Sequence, residues 1–189
     1  MFTIKNNYTD ELEIKKSRFI TNLYKINSID EINNILLSIK KEHPFATHYC
    51  YAYIINGYKK SSDDGEPGGT AGIPILQVLD KNNLNYILCV VIRYFGGIKL
   101  GAGGLVRAYT KSVSDALKKS DIVELISGYQ IKLVALYEDQ KKIDYILKDI
   151  YHTKEYNNDV TYFINISQDD LDLLSSYNYE IIKKIYIEK

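Results

Sequence analysis

Asp64 and Glu66 sit two residues apart in the string SSDDGEPGGTAGIP, and Arg93, Lys99 and Arg107 punctuate a second string, VVIRYFGGIKLGAGGLVRAY. Two carboxylates at that spacing can serve as general acid and base, or hold a hard cation such as Mg²⁺ through oxygen. No companion cluster completes either arrangement, so neither a metal nor a cofactor is expected. The favoured reading of the acidic string is a solvated loop whose Asp64 or Glu66 pairs with Arg93 or caps a helix. The second string reads as strand, glycine loop, helix, with Gly101, Gly103 and Gly104 at the turn. A helix start leaves N–H groups unpaired and carries partial positive charge, so this turn can receive a phosphate or carboxylate, reinforced by Arg93, Lys99 and Arg107. The same glycines would also allow strand, loop and helix to pack closely. The string has no GxxxxGK[ST], which excludes a Walker A loop, and its third glycine is misplaced for a dinucleotide GxGxxG.

Other reactive residue types lack partners. His48 lies in an apolar stretch and reads as a hydrogen-bonded core histidine. Ser61, Ser62 and Thr70 have no recognisable base beside them, which argues against nucleophilic catalysis. Cys50 and Cys89 fall in HYCYAYII and YILCVVI without a CxxC or a neighbouring histidine, and read as buried thiols. The start MFTIKNN has no basic-then-apolar leader, and no apolar run approaches the roughly 20 residues of a membrane helix. A reduced, cytoplasmic protein with no membrane partner is expected.

The elements that must position these groups follow from periodicity. The two strings hold nine of the eleven glycines in a chain of 189 residues, and the rest looks like scaffold. Strands are expected at 12–14 and 19–26, then a helix capped by Ser28 and ended by Pro44, with Ile29, Ile32, Ile35, Leu36 and Ile39 at helical spacing. Residues 48–55 read as a buried strand closed by the Asn56-Gly57 turn. Thr70 is expected to cap a helix over 71–80, with Pro74 in its first turn. Residues 86–94 form an apolar central strand, and 103–120 a long helix. After a short connection at 126–128 the pattern becomes strand 129–136, helix 139–150, strands 154–156 and 160–167, helix 169–176 and strand 181–187. That βαββαβ order is the split βαβ, ferredoxin-like arrangement. The fold class is therefore α/β (α+β) in two domains, residues 1–125 and 128–189. The composition is 46% hydrophobic and 25% charged, which supports real cores. The formal net charge of zero argues against a wholly basic nucleic-acid binder and leaves local patches open.

Four segments in order, EIKKSRF (13–19), ATHYCYAY (46–53), DGEPGGTAGIPIL (64–76) and RYFGGIKLGAGGLVRAY (93–109), closely resemble the YigZ family, the bacterial relatives of the IMPACT translational-regulator family. The resemblance is strong over residues 1 to about 125 and weaker beyond. It implies an N-terminal IMPACT fold like the second domain of a small-subunit ribosomal protein, and a ferredoxin-like C-terminal domain whose last helix and strand are short here. Eukaryotic relatives act in translational control by binding a protein that activates an initiation-factor kinase. This chain is not expected to carry their additional N-terminal recognition domain, so that partner does not transfer.

The resulting expectation is a non-enzymatic binding protein linked to translation that contacts RNA, a ribosome or a translation-regulatory protein. Lys15, Lys16, Arg18, Arg93, Lys99 and Arg107 would meet phosphates, and Tyr94 and Phe95 would stack on a base or pack in the core. A ligand site at Asp64, Glu66, Arg93, Lys99, Gly101, Gly103, Gly104 and Arg107 would serve the alternative, an enzyme acting on a small phosphorylated or carboxylated molecule. A protein-interaction adaptor is the third reading. In each, the acidic and basic strings would form opposite walls of one site.

Overall fold

Leu88, Val90 and Ile92 alternate with Ile87, Cys89 and Val91, and all six are fully buried. A strand apolar on both faces needs a cover on each. The computed structural model, which describes residues 1–189, supplies both covers within the first of two compact units, Met1–Val123 and Glu124–Lys189.

The first unit runs β1 (Phe2–Ile4), β2 (Tyr8–Ile14), β3 (Ser17–Lys25), α1 (Asp30–Glu42), β4 (His48–Ile55), β5 (Tyr58–Ser62), α2 (Gly72–Lys81), β6 (Ile87–Tyr94) and α3 (Ala102–Lys119). Its antiparallel sheet has the order β2-β3-β6-β4-β5. Helix α1 covers one face, packing Ile32 and Ile39 with Leu88, Val90 and Ile92. Helices α2 and α3 cover the other, packing Ile75, Leu79, Tyr109 and Val113 with Ile87, Cys89 and Val91. The period-two alternation of the strands thus decides which side chains belong to which layer.

The second unit is built on β7 (Ile122–Ala135), which begins two residues before the boundary. A 3₁₀ turn (Tyr137–Asp139) leads into α4 (Gln140–Ile146), followed by β8 (His152–Tyr156), β9 (Val160–Ser167), a 3₁₀ turn (Leu171–Leu174) and β10 (Tyr179–Glu188). The strands pair antiparallel in the order β10-β7-β9-β8. Ile131, Leu133, Tyr162 and Ile164 of the sheet pack with Ile143, Leu147 and Leu174.

Several sequence expectations are corrected. Residues 126–128 are no connection, because they lie within β7 and pair with β10. The helix expected over 139–150 is only seven residues of α-helix, and that over 169–176 is a single 3₁₀ turn. Both segments bury one or two side chains, too few for packing to extend a longer helix against its nucleation cost. The last strand is longer than expected, at ten residues. Strand β5 escaped notice because its YKKSS carries no alternating apolar face. No helix is long and apolar enough to cross a membrane.

Candidate functional site

Arg93 follows Val91 by two residues on β6, so it points to the side of the sheet covered by α2 and α3. His48 on β4 lies directly across from it in register, and Phe19 on β3 does so from the other side. The end of this buried face is therefore closed by two polar side chains where aliphatic ones would continue the core. Arg93 is 5% exposed, and its guanidinium sits 5.4 Å from the Phe19 ring and 5.6 Å from the Phe95 ring.

A buried guanidinium needs a counter-charge. Glu66 supplies it, its Oε1 accepting from Arg93 Nη1 at 2.5 Å and from the Tyr109 hydroxyl at 2.8 Å. Arg93 Nη2 reaches Ser17 Oγ at 3.5 Å, whereas the buried Nε has no acceptor. Glu66 Oε2 accepts no hydrogen bond, and His48 Nε2 stands 3.8 Å from it. His48 Nδ1 meets the Asp64 carbonyl oxygen at 2.8 Å.

The loop that delivers Glu66 is shaped by Asp63. Its Oδ2 accepts from the N–H of Gly69 at 2.8 Å, and its Oδ1 from those of Ala71 and Gly72 at 2.9 and 2.8 Å. Burial pushes the Asp63 carboxyl up, but these three donors outweigh it and hold the group below the usual carboxylate range. Asp63 thus caps α2 from a distance. Thr70 does not cap it, because its hydroxyl donates to the Pro67 carbonyl instead. Asp64, which the sequence placed in the site, faces elsewhere, with Oδ2 accepting from Tyr49 N–H at 2.8 Å. It is a loop clamp.

Glu66, Arg93 and His48 help to line a pocket of about 420 Å³, completed by Thr47, Lys99, the Gly101–Ala102 start of α3 and the apolar Pro67, Phe95, Leu100 and Leu105. The start of α3 has no side-chain cap and no acid in its first turn. Gly101 there adopts φ +71°, a conformation that disfavours any residue with a Cβ. The acidic and basic strings do meet here, through Glu66, Arg93, Lys99 and Gly101. Gly103, Gly104 and Arg107 do not line the pocket, and Arg107 is exposed on α3.

The cations expected to meet phosphates divide sharply. Arg93 is committed to Glu66. Arg18 is held bidentately by Glu11 at 2.8 and 2.9 Å and lies over the Tyr94 ring. Lys15 and Lys16 form the tight turn between β2 and β3, with φ of 47° and 65°, and both are exposed. Gly96 packs on that turn so closely that an added Cβ would come within 2.0 Å of the Lys16 carbonyl. The turn and the loop carrying Lys99 are thereby clamped together. Tyr94 binds His43 Nδ1 through its hydroxyl, whereas Phe95 is 46% exposed.

Sequence reasoning passed over His48, Asp63 and Tyr109 as site builders. A signal for His48 exists, since it continues the period-two face of Cys50, Ala52 and Ile54, all buried. Cys50 is held as a buried thiol. Burial pushes its thiol up to about 12, partly opposed by its hydrogen bond with Tyr109 and reinforced by the charge of Glu66. Burial likewise raises Tyr109 far above an ordinary phenol, with Cys50 and Glu66 adding to it. No group of three or more His, Cys, Asp or Glu side chains is placed to hold a metal ion.

The Impact N-terminal domain matches residues 15–117, which contain every pocket residue named above. The IMPACT family member YvyE of Bacillus subtilis is 42% identical over 163 residues, 81% of this chain and 75% of the relative. An IMPACT family member of Haemophilus influenzae is 50% identical over 113 residues, and YigZ of Escherichia coli 46% over 112; each match covers 57% of this chain and 55% of the relative. In those two cases the chain spans about half the length of the curated relative. A crystal structure described only as that of a hypothetical protein covers 95% of both chains with a TM-score of 0.65 and 31% identity. By the extent of these matches, the chain belongs to the IMPACT family.

Proposed function

We propose that this chain is a non-enzymatic binding protein linked to translation, contacting RNA through the exposed Lys15, Lys16, Lys99 and Arg107, of which Lys99 lines the Glu66–Arg93 pocket. The observation that carries this reading is the clamp of Gly96 on Lys16, which joins the exposed Lys15-Lys16 turn to the loop bearing Lys99. Exposed lysines without buried partners are suited to phosphate contact, while the paired Arg18 and Arg93 are not. The link to translation rests on the family resemblance, as does the reading of the first unit as a ribosomal-protein-like fold. The order β10-β7-β9-β8 supports a ferredoxin-like reading of the second unit, and the two compact units support a domain boundary near Glu124.

Fluorescence anisotropy with a labelled single-stranded RNA tests the proposal. Lys16→Glu and Lys99→Glu should each weaken binding severalfold, while Arg18→Gln should change it little. Equal effects from all three, or no binding by the unaltered protein, would remove the reading.

A second reading is favoured by the lining of the pocket, which combines a buried ion pair with an uncapped helix start. There the site holds a small anionic ligand, with Lys99 and the first N–H groups of α3 taking its charge.

A further inference from the structure

We infer that the pocket recognises a small anionic ligand bearing two adjacent hydroxyl groups, such as a sugar phosphate or a sugar acid. The inference rests on the second reading above and adds the part of the ligand that faces the buried end of the site.

His48 Nδ1 is 2.8 Å from the Asp64 carbonyl oxygen, which can only accept. Nδ1 therefore carries the hydrogen, and in the neutral ring Nε2 presents a lone pair. That lone pair faces Glu66 Oε2, itself an acceptor without a donor, across 3.8 Å. While the ring is neutral, two acceptors so placed cannot satisfy one another. Two hydroxyls on neighbouring carbons can, each donating one hydrogen, to Nε2 and to Oε2 respectively, at about 2.8 Å.

Charge selects the rest of the ligand. Glu66 is already neutralised by Arg93 at 2.5 Å, so Lys99 is left as the surplus charge of the pocket. An ammonium at the Glu66 end would add to that surplus, whereas neutral hydroxyls do not. An anionic group belongs at the other end, beside Lys99 and the start of α3, where no side chain caps the free N–H groups. Phe95, Pro67 and Leu105 provide apolar surface for the C–H face of a ring.

Isothermal titration of the full chain with ribose 5-phosphate, 2-deoxyribose 5-phosphate, gluconate and inorganic phosphate tests this. Ribose 5-phosphate or gluconate should bind at least about tenfold more tightly than both 2-deoxyribose 5-phosphate and inorganic phosphate, the scale of one hydrogen bond to a charged acceptor. Whichever of the two is tighter identifies phosphate or carboxylate as the anion. His48→Leu should reduce that preference by removing one of the two acceptors, with a smaller effect on inorganic phosphate. Lys99→Gln, at an exposed side chain, should weaken every anion and keeps the test available if the His48 variant fails to fold. Equal binding of the deoxy and hydroxylated sugars would overturn the inference while sparing the anion site. Absence of binding by all four would overturn both.

Discussion

Removing the Glu66 carboxylate leaves Arg93 as an uncompensated charge between two aromatic rings. Glu66→Gln should therefore destabilise the protein by about 3 kcal/mol in urea unfolding, the usual scale for breaking a buried pair. Replacing both residues, as in Glu66→Leu with Arg93→Met, should cost less than the sum of the single changes, because no orphaned charge remains. Cys50 supplies a second outcome. Its thiol, pushed up to about 12, should resist iodoacetamide at pH 8 in the folded protein, and both cysteines should alkylate once urea is present; mass spectrometry counts the adducts. At this scale the sequence made the residue types visible but not their pairing. Asp64 and Glu66 look interchangeable in DDGEPGG, yet one clamps Tyr49 N–H and the other neutralises Arg93, a division set by backbone direction in the loop.

The loop between β5 and α2 depends on a single carboxylate serving three N–H groups. Asp63→Ala should cost about 2 kcal/mol, the upper range for a helix cap, and should loosen the loop bearing Glu66. Because Asp63 is held below its unfolded value, its stabilisation is present above the unfolded carboxylate range and is lost as pH falls through the folded one. The difference in urea midpoint between the unaltered protein and Asp63→Ala should accordingly shrink below about pH 4. Gly96 makes a different demand. An alanine there meets the Lys16 backbone at 2.0 Å, so Gly96→Ala should displace the β2–β3 turn and cost about 2 kcal/mol or more, with amide-proton shifts centred on residues 15–17. The long periodic elements α1, α3, β4 and β6 were legible because their buried faces repeat. Strand β5 and the two 3₁₀ turns were not, since pairing to a neighbour and limited burial, rather than local pattern, decide them.

Across the whole molecule, two units carry separate cores, and the first contains the pocket and all four exposed cations proposed to contact RNA. A net charge of zero conceals this local arrangement, which is why composition alone spoke only against a wholly basic protein. Family membership was legible in four motif segments, whereas the division of the cations into paired and exposed sets needed the side-chain geometry. The central claim, that the exposed Lys15, Lys16, Lys99 and Arg107 contact RNA, is tested most directly by the salt dependence of RNA affinity. With four phosphates contacted on a single strand, log K should fall against log salt with a slope of about −3, and neutralising Lys15, Lys16, Lys99 and Arg107 together should flatten it. Binding that ignores salt, or a slope unchanged by those four substitutions, would contradict the account.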